Sequence, residues 1–144
     1  QLAVPEGAVN TVPGRVRFTY DVRSADDTRR RAAVAAIHEE VAAIAARRGL
    51  AATVSRGHEG DAVPCDARLS ETLARAVTRQ GFEPLRLPSG AGHDAMAFHR
   101  VLPLAMLFVR CRGGVSHNPA EFASPADIGF AVRTLIDVLE TYEP

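Results

Sequence analysis

Two short polar loops carry the side chains best suited to chemistry. Residues 88–96 read Pro-Ser-Gly-Ala-Gly-His-Asp-Ala-Met, and residues 112–121 read Arg-Gly-Gly-Val-Ser-His-Asn-Pro-Ala-Glu. A neutral imidazole on a loop is a common ligand for divalent metals, so His117 in the second loop is a candidate metal ligand. Glu121 is close enough in sequence to accept a hydrogen bond from its other ring nitrogen. A structural loop histidine is the alternative, because no second ligand lies at metal-binding spacing.

The first loop offers backbone N–H groups to an anion or to a developing oxyanion. Gly92 and its neighbours are small enough for a ligand to approach the main chain, and His93 could donate a hydrogen bond to the same oxygen. A tight turn that needs glycine for its backbone angles is the alternative.

Asn10 and Arg23 lie on either side of a predicted strand. Arginine is the side chain best suited to a bidentate grip on a carboxylate, and asparagine is a supporting donor. A surface arginine and a turn asparagine are the alternative.

The elements that must position these residues begin with a strand and a helix. Residues 15–23 alternate apolar and polar side chains, which predicts a strand with one polar face. Residues 26–48 carry apolar residues at helical spacing, with Gly49 as the terminator, and residues 50–55 predict another strand. This order indicates a ferredoxin-like α/β sandwich, present in part. The arginines at 29–31 predict a solvated helix face rather than a nucleic-acid site.

Residues 61–64 are the predicted boundary between two lobes of the chain. The sequence that follows predicts helices around one very apolar segment. Its predicted elements are a helix over 66–80, a short strand over 85–87, a short helix over 93–99, a buried strand over 101–109 and a last helix after Ser124.

Composition narrows the class of protein. The chain has 144 residues, and its 17 basic and 17 acidic side chains cancel, so no global charge favours nucleic acid or an anionic membrane. No apolar run approaches the roughly 20 residues of a membrane helix. No metal or redox motif contains Cys65 or Cys111. We expect both thiols to pack as small apolar groups, in a reduced, cytosolic protein. The sequence places no further candidate ligands or catalytic groups near the other histidines. We therefore expect structural roles for His38, His58 and His99.

Three motifs together resemble one enzyme family. Residues 10–23, which read Asn-Thr-Val-Pro-Gly-Arg-Val-Arg-Phe-Thr-Tyr-Asp-Val-Arg, resemble a lid-domain strand of the N-carbamoyl-L-amino acid hydrolases and allantoate amidohydrolases. The two polar loops, the second beginning at Cys111, resemble that family's two C-terminal signatures. β-Ureidopropionase of the yeast type belongs to the same group. The resemblance spans nearly the whole chain.

The resemblance implies an α/β fold in two parts. The family has a metallo-exopeptidase-like α/β catalytic domain with an inserted α+β lid of the ferredoxin-like kind, and it forms homodimers through the lid. Residues 1–62 would be the second half of the lid or dimerisation domain. Residues 63–144 would be the C-terminal part of the metal-binding catalytic domain.

The resemblance also implies a reaction and roles for individual residues. The family hydrolyses the C–N bond of a carbamoyl or ureido group, and two divalent metal ions, which could be Zn, Mn, Co or Ni, activate the water. His117 would be the C-terminal metal ligand. Asn10 and Arg23 would bind the carboxylate of a small ureide substrate, and Gly92 and His93 would contact it near the scissile group.

The remaining metal ligands and the general-base glutamate would precede Gln1, where the chain begins without a methionine or a signal peptide. We therefore expect a C-terminal fragment that is inactive and poorly stable alone. A related metal-dependent aminopeptidase or aminoacylase is one alternative, and a non-catalytic dimerisation or binding module is another.

Overall fold

The computed structural model describes residues 1–5 and 7–143. The chain divides into two compact units, Gln1–Ala62 and Val63–Pro144. Their assignment to a lid and to a catalytic domain stays a prediction. No helix in the described ranges is long and apolar enough to cross a membrane.

The first unit is built on the helix α1, Asp27–Arg47. The Asp26 carboxylate accepts hydrogen bonds from the backbone N–H groups of Thr28 (2.9 Å) and Arg29 (3.1 Å), which satisfies two of the N–H groups that a helix start leaves unpaired. The chain leaves the helix through Gly49, whose φ of 63° is typical of a glycine terminator. The predicted helix and both of its ends are confirmed.

The strands of this unit are much shorter than predicted. β1, Leu2–Ala3, pairs antiparallel with β2, Arg17–Phe18, and each has two residues. The strand predicted over residues 15–23 is therefore much too long, and the strand predicted over residues 50–55 does not form. A strand exists only where a neighbour accepts and donates its backbone hydrogen bonds, and in the described residues only this short pairing supplies one.

The arginines at the start of α1 are not a solvated face throughout. The side chain of Arg30 is 11% exposed, and its guanidinium lies 3.0 Å from Asp27, 3.4 Å from Glu59 and 3.6 Å from Asp61. Arg31 also pairs with Asp61, at 2.7 Å. These contacts hold residues 59–61 against the first turns of α1. The prediction of a solvated face is therefore wrong for Arg30.

The second unit contains two longer helices, α2 over Ala67–Arg79 and α3 over Pro125–Thr141. Asp66 caps the first of them. Ser124 caps the second, accepting the Asp127 N–H at 3.1 Å, and proline occupies the first turn. Both predicted helices and both predicted caps are confirmed.

Small residues let α2 and α3 pack closely. Ala76 and Ala131 are buried, and Thr134 is fully buried. The Gln80 side-chain amide donates to the Thr134 hydroxyl at 2.6 Å, and that hydroxyl donates to the Phe130 carbonyl at 3.0 Å. The buried hydroxyl is thus satisfied both within its own helix and across the interface.

Charged and aromatic contacts extend the same interface. Arg79 binds the Asp137 carboxylate with two hydrogen bonds, of 2.8 and 2.7 Å. Phe82 packs edge-on against Phe130, with ring centroids 4.6 Å apart, and the Arg110 guanidinium lies 5.3 Å from the centroid of Phe82. These contacts fix the turn that follows α2 against the middle of α3.

The prediction of a buried strand over residues 101–109 is wrong. Val101 is 74% exposed, Phe108 is also exposed, and no strand pairing forms there. The Leu104 carbonyl accepts the Asp66 N–H at 2.7 Å, but the described part of the chain supplies no ladder partner for the segment. The predicted strand over residues 85–87 is absent for the same reason.

Replacing Thr134 with valine tests the polar contact between α2 and α3. Valine keeps the shape but leaves the Gln80 amide without its acceptor, so we expect the free energy of unfolding to fall by about 1–3 kcal/mol. Urea unfolding measures this. Thr78→Val removes the same bond to the preceding turn at an exposed position of α2 and should cost less than about 0.5 kcal/mol. Equal losses in the two variants would contradict the assigned role of Thr134.

Candidate functional site

His117 lies in a loop with unusual backbone geometry. The loop begins with a short 3₁₀ turn at Arg112–Gly114, in which Gly113 and Gly114 both have a φ of 66°. His117 itself has a φ of 55°, which is uncommon for a residue other than glycine. Backbone of this kind costs free energy and concentrates at functional sites, so it points to a constraint on the position of His117.

Glu121 supports that geometry through the main chain. Its carboxylate accepts the backbone N–H of His117 at 2.8 Å, and its own N–H donates to the Asn118 carbonyl at 2.9 Å. The prediction that Glu121 would accept from the imidazole is wrong, because the backbone N–H takes the carboxylate instead. The exposed ring of His117 makes no hydrogen bond to the described residues.

A metal centre needs more ligands than His117. Nowhere in residues 1–5 and 7–143 do three or more His, Cys, Asp or Glu side chains gather as a metal site would require. Catalytic zinc sites use three protein ligands and an open position. The described residues therefore hold no such cluster around His117, and its role as a metal ligand stays a prediction.

Gly92 leaves open space in the first loop. Neither Gly90 nor Gly92 has a left-handed φ, and no atom lies within 4 Å of where a Cβ would stand. The loop is instead shaped by Ser89, whose hydroxyl donates to the Ala91 carbonyl and accepts the Ala91 N–H. A requirement for left-handed backbone angles therefore does not explain these glycines, and the contact of Gly92 with a ligand stays a prediction.

His93 follows as the N-cap of a 3₁₀ helix, Asp94–Phe98. Its Nδ1 accepts the Ala95 N–H at 3.0 Å. A neutral imidazole that accepts at Nδ1 carries its proton on Nε2, so His93 presents Nε2–H as a donor. This agrees with the donor role that the sequence predicts for His93, which stays a prediction.

Arg23 binds a carboxylate of its own chain. Its Nε lies 3.0 Å from both carboxylate oxygens of Asp21, and its Nη2 lies 2.6 Å from one of them. The sequence predicts that Arg23 grips a carboxylate, but Asp21 was not predicted as a carboxylate that it binds. The signal was available, because residues two apart on an extended segment point to the same side. Asn10 is exposed and lies in a turn of the same unit.

The candidate residues thus fall into separate groups. Asn10 and Arg23 belong to the first unit, and Gly92, His93 and His117 belong to the second. Within the second unit, no hydrogen bond or ion pair of the described residues joins His93 to His117. The prediction that these residues share one site is not tested by these contacts.

A family model described as Peptidase family M20/M25/M40 matches residues 3–141. The chain belongs to this family. Members of the M20 family are generally metal-dependent.

Relatives of this M20 chain are named as allantoate deiminases, allantoate amidohydrolases or N-carbamoyl-L-amino acid amidohydrolases. Allantoate deiminase of Arabidopsis thaliana is 40% identical over 143 residues, which cover 93% of this chain and 27% of that protein. Allantoate amidohydrolase of Bacillus subtilis is 33% identical, covering 96% and 34% respectively. N-carbamoyl-L-amino acid amidohydrolase of Geobacillus stearothermophilus is 35% identical, covering 94% and 33%. The resemblance drawn from the three motifs is confirmed, and the chain spans about a third of these relatives' length.

The pair between Arg23 and Asp21 has a measurable signature. The hydrogen bonds from Arg23, together with its charge, hold the pKa of the Asp21 carboxyl below its ordinary 3.8, although desolvation opposes them. Since the folded pKa is depressed, the pair's contribution is present above pH 3.8 and is lost as the pH falls through the folded value.

We expect Arg23→Gln to return the pKa of Asp21 toward its ordinary value, as measured by NMR titration of the side-chain carboxyl carbon. The pKa of Asp137, which Arg79 lowers by hydrogen bonding, is the internal control and should not move. An ordinary pKa for Asp21 in the unsubstituted protein would show that the pair does not form in solution.

Proposed function

We propose that the protein is a metal-dependent amidohydrolase that cleaves a linear C–N bond in an N-carbamoyl-L-amino acid or in allantoate. The observation that carries the proposal is the set of relatives with these names, 33–40% identical over nearly the whole chain. Because the chain spans about a third of their length, the activity belongs to a site that this chain completes rather than contains.

Recognition of the substrate carboxylate is assigned to Arg23, with Asn10 as a supporting donor. A guanidinium matches the planar geometry of a carboxylate and binds it with two parallel hydrogen bonds. The contact with Asp21 supports this role, because it is a grip of that kind on a carboxylate. Both N-carbamoyl amino acids and allantoate carry a carboxylate for Arg23 to bind.

Polarisation of the scissile carbonyl is assigned to Gly92 and His93. The Nε2–H of His93 and the backbone N–H of Gly92 would donate to the carbonyl oxygen and stabilise the negative charge that develops there. The open space beside Gly92 supports the assignment, since no side chain stands between the main chain and a ligand.

Metal binding is assigned to His117 as one ligand. Two divalent ions, of Zn, Mn, Co or Ni, would supply Lewis-acid activation of the attacking water. The His117 imidazole fits this role because it is exposed and makes no hydrogen bond to the described residues. The other ligands and the general base would come from outside the described part of the chain.

Two other functions each have one observation in their favour. The matching family is named for peptidases, which favours an aminopeptidase or aminoacylase. The described residues gather no metal site of their own, which favours a non-catalytic dimerisation or binding module. The names of the relatives favour the amidohydrolase over both.

We also propose a homodimer formed through the first unit, and a cytoplasmic location. The free thiols of Cys65 and Cys111 support a reducing compartment, in which such thiols persist. A dimer through the first unit follows from the lid role that the resemblance implies for residues 1–62.

His117→Ala, made in the polypeptide as its gene encodes it, separates these functions. We expect loss of bound metal by elemental analysis and a fall of at least about a hundredfold in hydrolysis of an N-carbamoyl amino acid. The exposed His58 offers a matched control, His58→Ala, which should change neither. Unchanged metal content would favour the binding module, and preference for an N-acetyl over an N-carbamoyl substrate would favour the aminoacylase. Residues 1–144 alone should show no turnover with added Mn²⁺ or Zn²⁺.

Gly92→Ala tests whether a ligand uses the space beside the first loop. The added methyl meets no atom of the chain, so we expect an unchanged melting temperature. It would meet the substrate, so KM should rise about tenfold, equivalent to roughly 1.4 kcal/mol of binding. Gly14→Ala, at a glycine with equally open surroundings, should leave both quantities unchanged. An unaltered KM in Gly92→Ala would remove Gly92 from the site.

A further inference from the structure

We propose that Glu121 is a positioning residue for His117, whose imidazole it holds in place through the backbone N–H and not through the ring. This inference rests on the role proposed for His117 and adds a residue to it. The Glu121 carboxylate accepts the His117 N–H at 2.8 Å, and the exposed ring makes no hydrogen bond to the described residues. The carboxylate therefore fixes the main chain that carries the imidazole without engaging the imidazole itself.

A turn over residues 118–121 brings the carboxylate back to His117. The Glu121 N–H donates to the Asn118 carbonyl at 2.9 Å, which closes a four-residue turn. The Asn118 side chain accepts the Ala120 N–H, also at 2.9 Å. Asparagine suits the first position of such a turn and proline the second, so Asn118 and Pro119 encode the reversal locally. The reversal places a side chain four residues after His117 within reach of its N–H.

The backbone of His117 explains why a partner is needed. Its φ of 55° is left-handed, a conformation that costs free energy for a residue with a Cβ. A hydrogen bond from an N–H to an ionised carboxylate is stronger than one to a neutral acceptor, so the contact with Glu121 offsets part of that cost. Without the contact we expect His117 to relax toward right-handed or extended angles, which turn its Cβ and its ring in another direction.

The ends of the loop are joined next to Glu121. The Arg112 N–H donates to the Phe122 carbonyl at 2.8 Å, and the Arg112 guanidinium lies 4.8 Å from the centroid of the Phe122 ring. Residues 112–122 thus form a compact loop with adjacent ends. Because Phe122 directly follows Glu121, the closure restrains the chain that carries the carboxylate. Glu121 therefore links the closed end of the loop to His117.

Glutamine at position 121 separates positioning from the other roles open to a carboxylate. A carboxylate that bound a metal ion or took up a proton would act through its charge, which glutamine lacks. Positioning needs only an oxygen acceptor at the same distance along the side chain, and the glutamine carbonyl supplies it. Glu121→Gln should therefore behave like the unsubstituted protein, whereas Glu121→Ala should not.

The first test is amide hydrogen exchange, measured by NMR on the polypeptide as its gene encodes it after treatment with a chelator. We expect exchange at the His117 amide to be about tenfold faster in Glu121→Ala and to stay within about threefold in Glu121→Gln. The Ala120 amide, which Asn118 holds, is the internal control and should not change. Glu140→Ala, at an exposed carboxylate of α3, is the matched variant and should leave the His117 amide unchanged.

The second test is the dissociation constant for Zn²⁺, measured by competition with a chelator. Groups that orient a metal ligand affect metal affinity about as strongly as 10–100-fold when they are removed. We expect Glu121→Ala to weaken Zn²⁺ binding at least about tenfold at an unchanged melting temperature of the metal-free protein, and Glu121→Gln to stay within about threefold. Equal losses in the two variants would show that Glu121 acts through its charge and would overturn the positioning role.

The two readouts fail in different ways. Unaltered exchange at the His117 amide in Glu121→Ala would overturn the proposal, and so would faster exchange with unaltered Zn²⁺ affinity, because the main chain would then not position the ring. A lowered melting temperature of Glu121→Ala would indicate a general defect and would overturn it as well. If the unsubstituted polypeptide neither binds Zn²⁺ nor hydrolyses an N-carbamoyl amino acid, the proposed function fails, and the exchange rates alone decide the positioning role.

Discussion

Each extended segment of this chain depends on a second segment to pair with its backbone N–H and C=O groups, whereas a helix pairs its own. The helices α1, α2 and α3 are complete and capped. In residues 1–5 and 7–143, strand pairing covers only two residues each, at β1 and β2. This difference decides which elements form from local sequence, and the candidate site residues lie mostly outside those elements.

The same constraint explains how much of the fold the sequence could predict. A helix start is encoded within four residues, so Asp26, Asp66 and Ser124 were identifiable as caps without knowing the fold. A strand over residues 101–109 needs a partner strand, and apolar composition does not show whether one is present. The segment has the side chains of a buried strand, but composition records a preference and not the presence of a neighbour. Helices were therefore predicted to within a residue or two, and strands were not.

At the candidate site, the sequence predicted which residues interact better than it predicted which of their atoms form the contacts. Glu121 was correctly linked to His117, but it binds the backbone N–H and not the ring, because the left-handed backbone places that N–H within reach. His93 uses Nδ1 to cap a short helix, a contact that spacing alone does not reveal and that determines which ring nitrogen can donate. Asp21 lies two residues before Arg23 on an extended segment, yet its bidentate contact emerges only with side-chain positions. Residue type and spacing identify candidates, whereas protonation and contact geometry require coordinates.

The weakly covered apolar surface follows from the unpaired backbone. Where residues are described, the buried apolar core consists of Ala45, Ala76 and Ala131, while larger side chains such as Leu139 and Val101 stay exposed. Polar contacts across α2 and α3 fix geometry but contribute little net free energy, because they replace hydrogen bonds to water. Residues 101–109 have no strand partner among the described residues, and Val101, Leu102 and Phe108 expose apolar side chains. A neighbouring strand would pair this backbone and cover these side chains at once, so one contact would supply both hydrogen bonding and hydrophobic stabilisation.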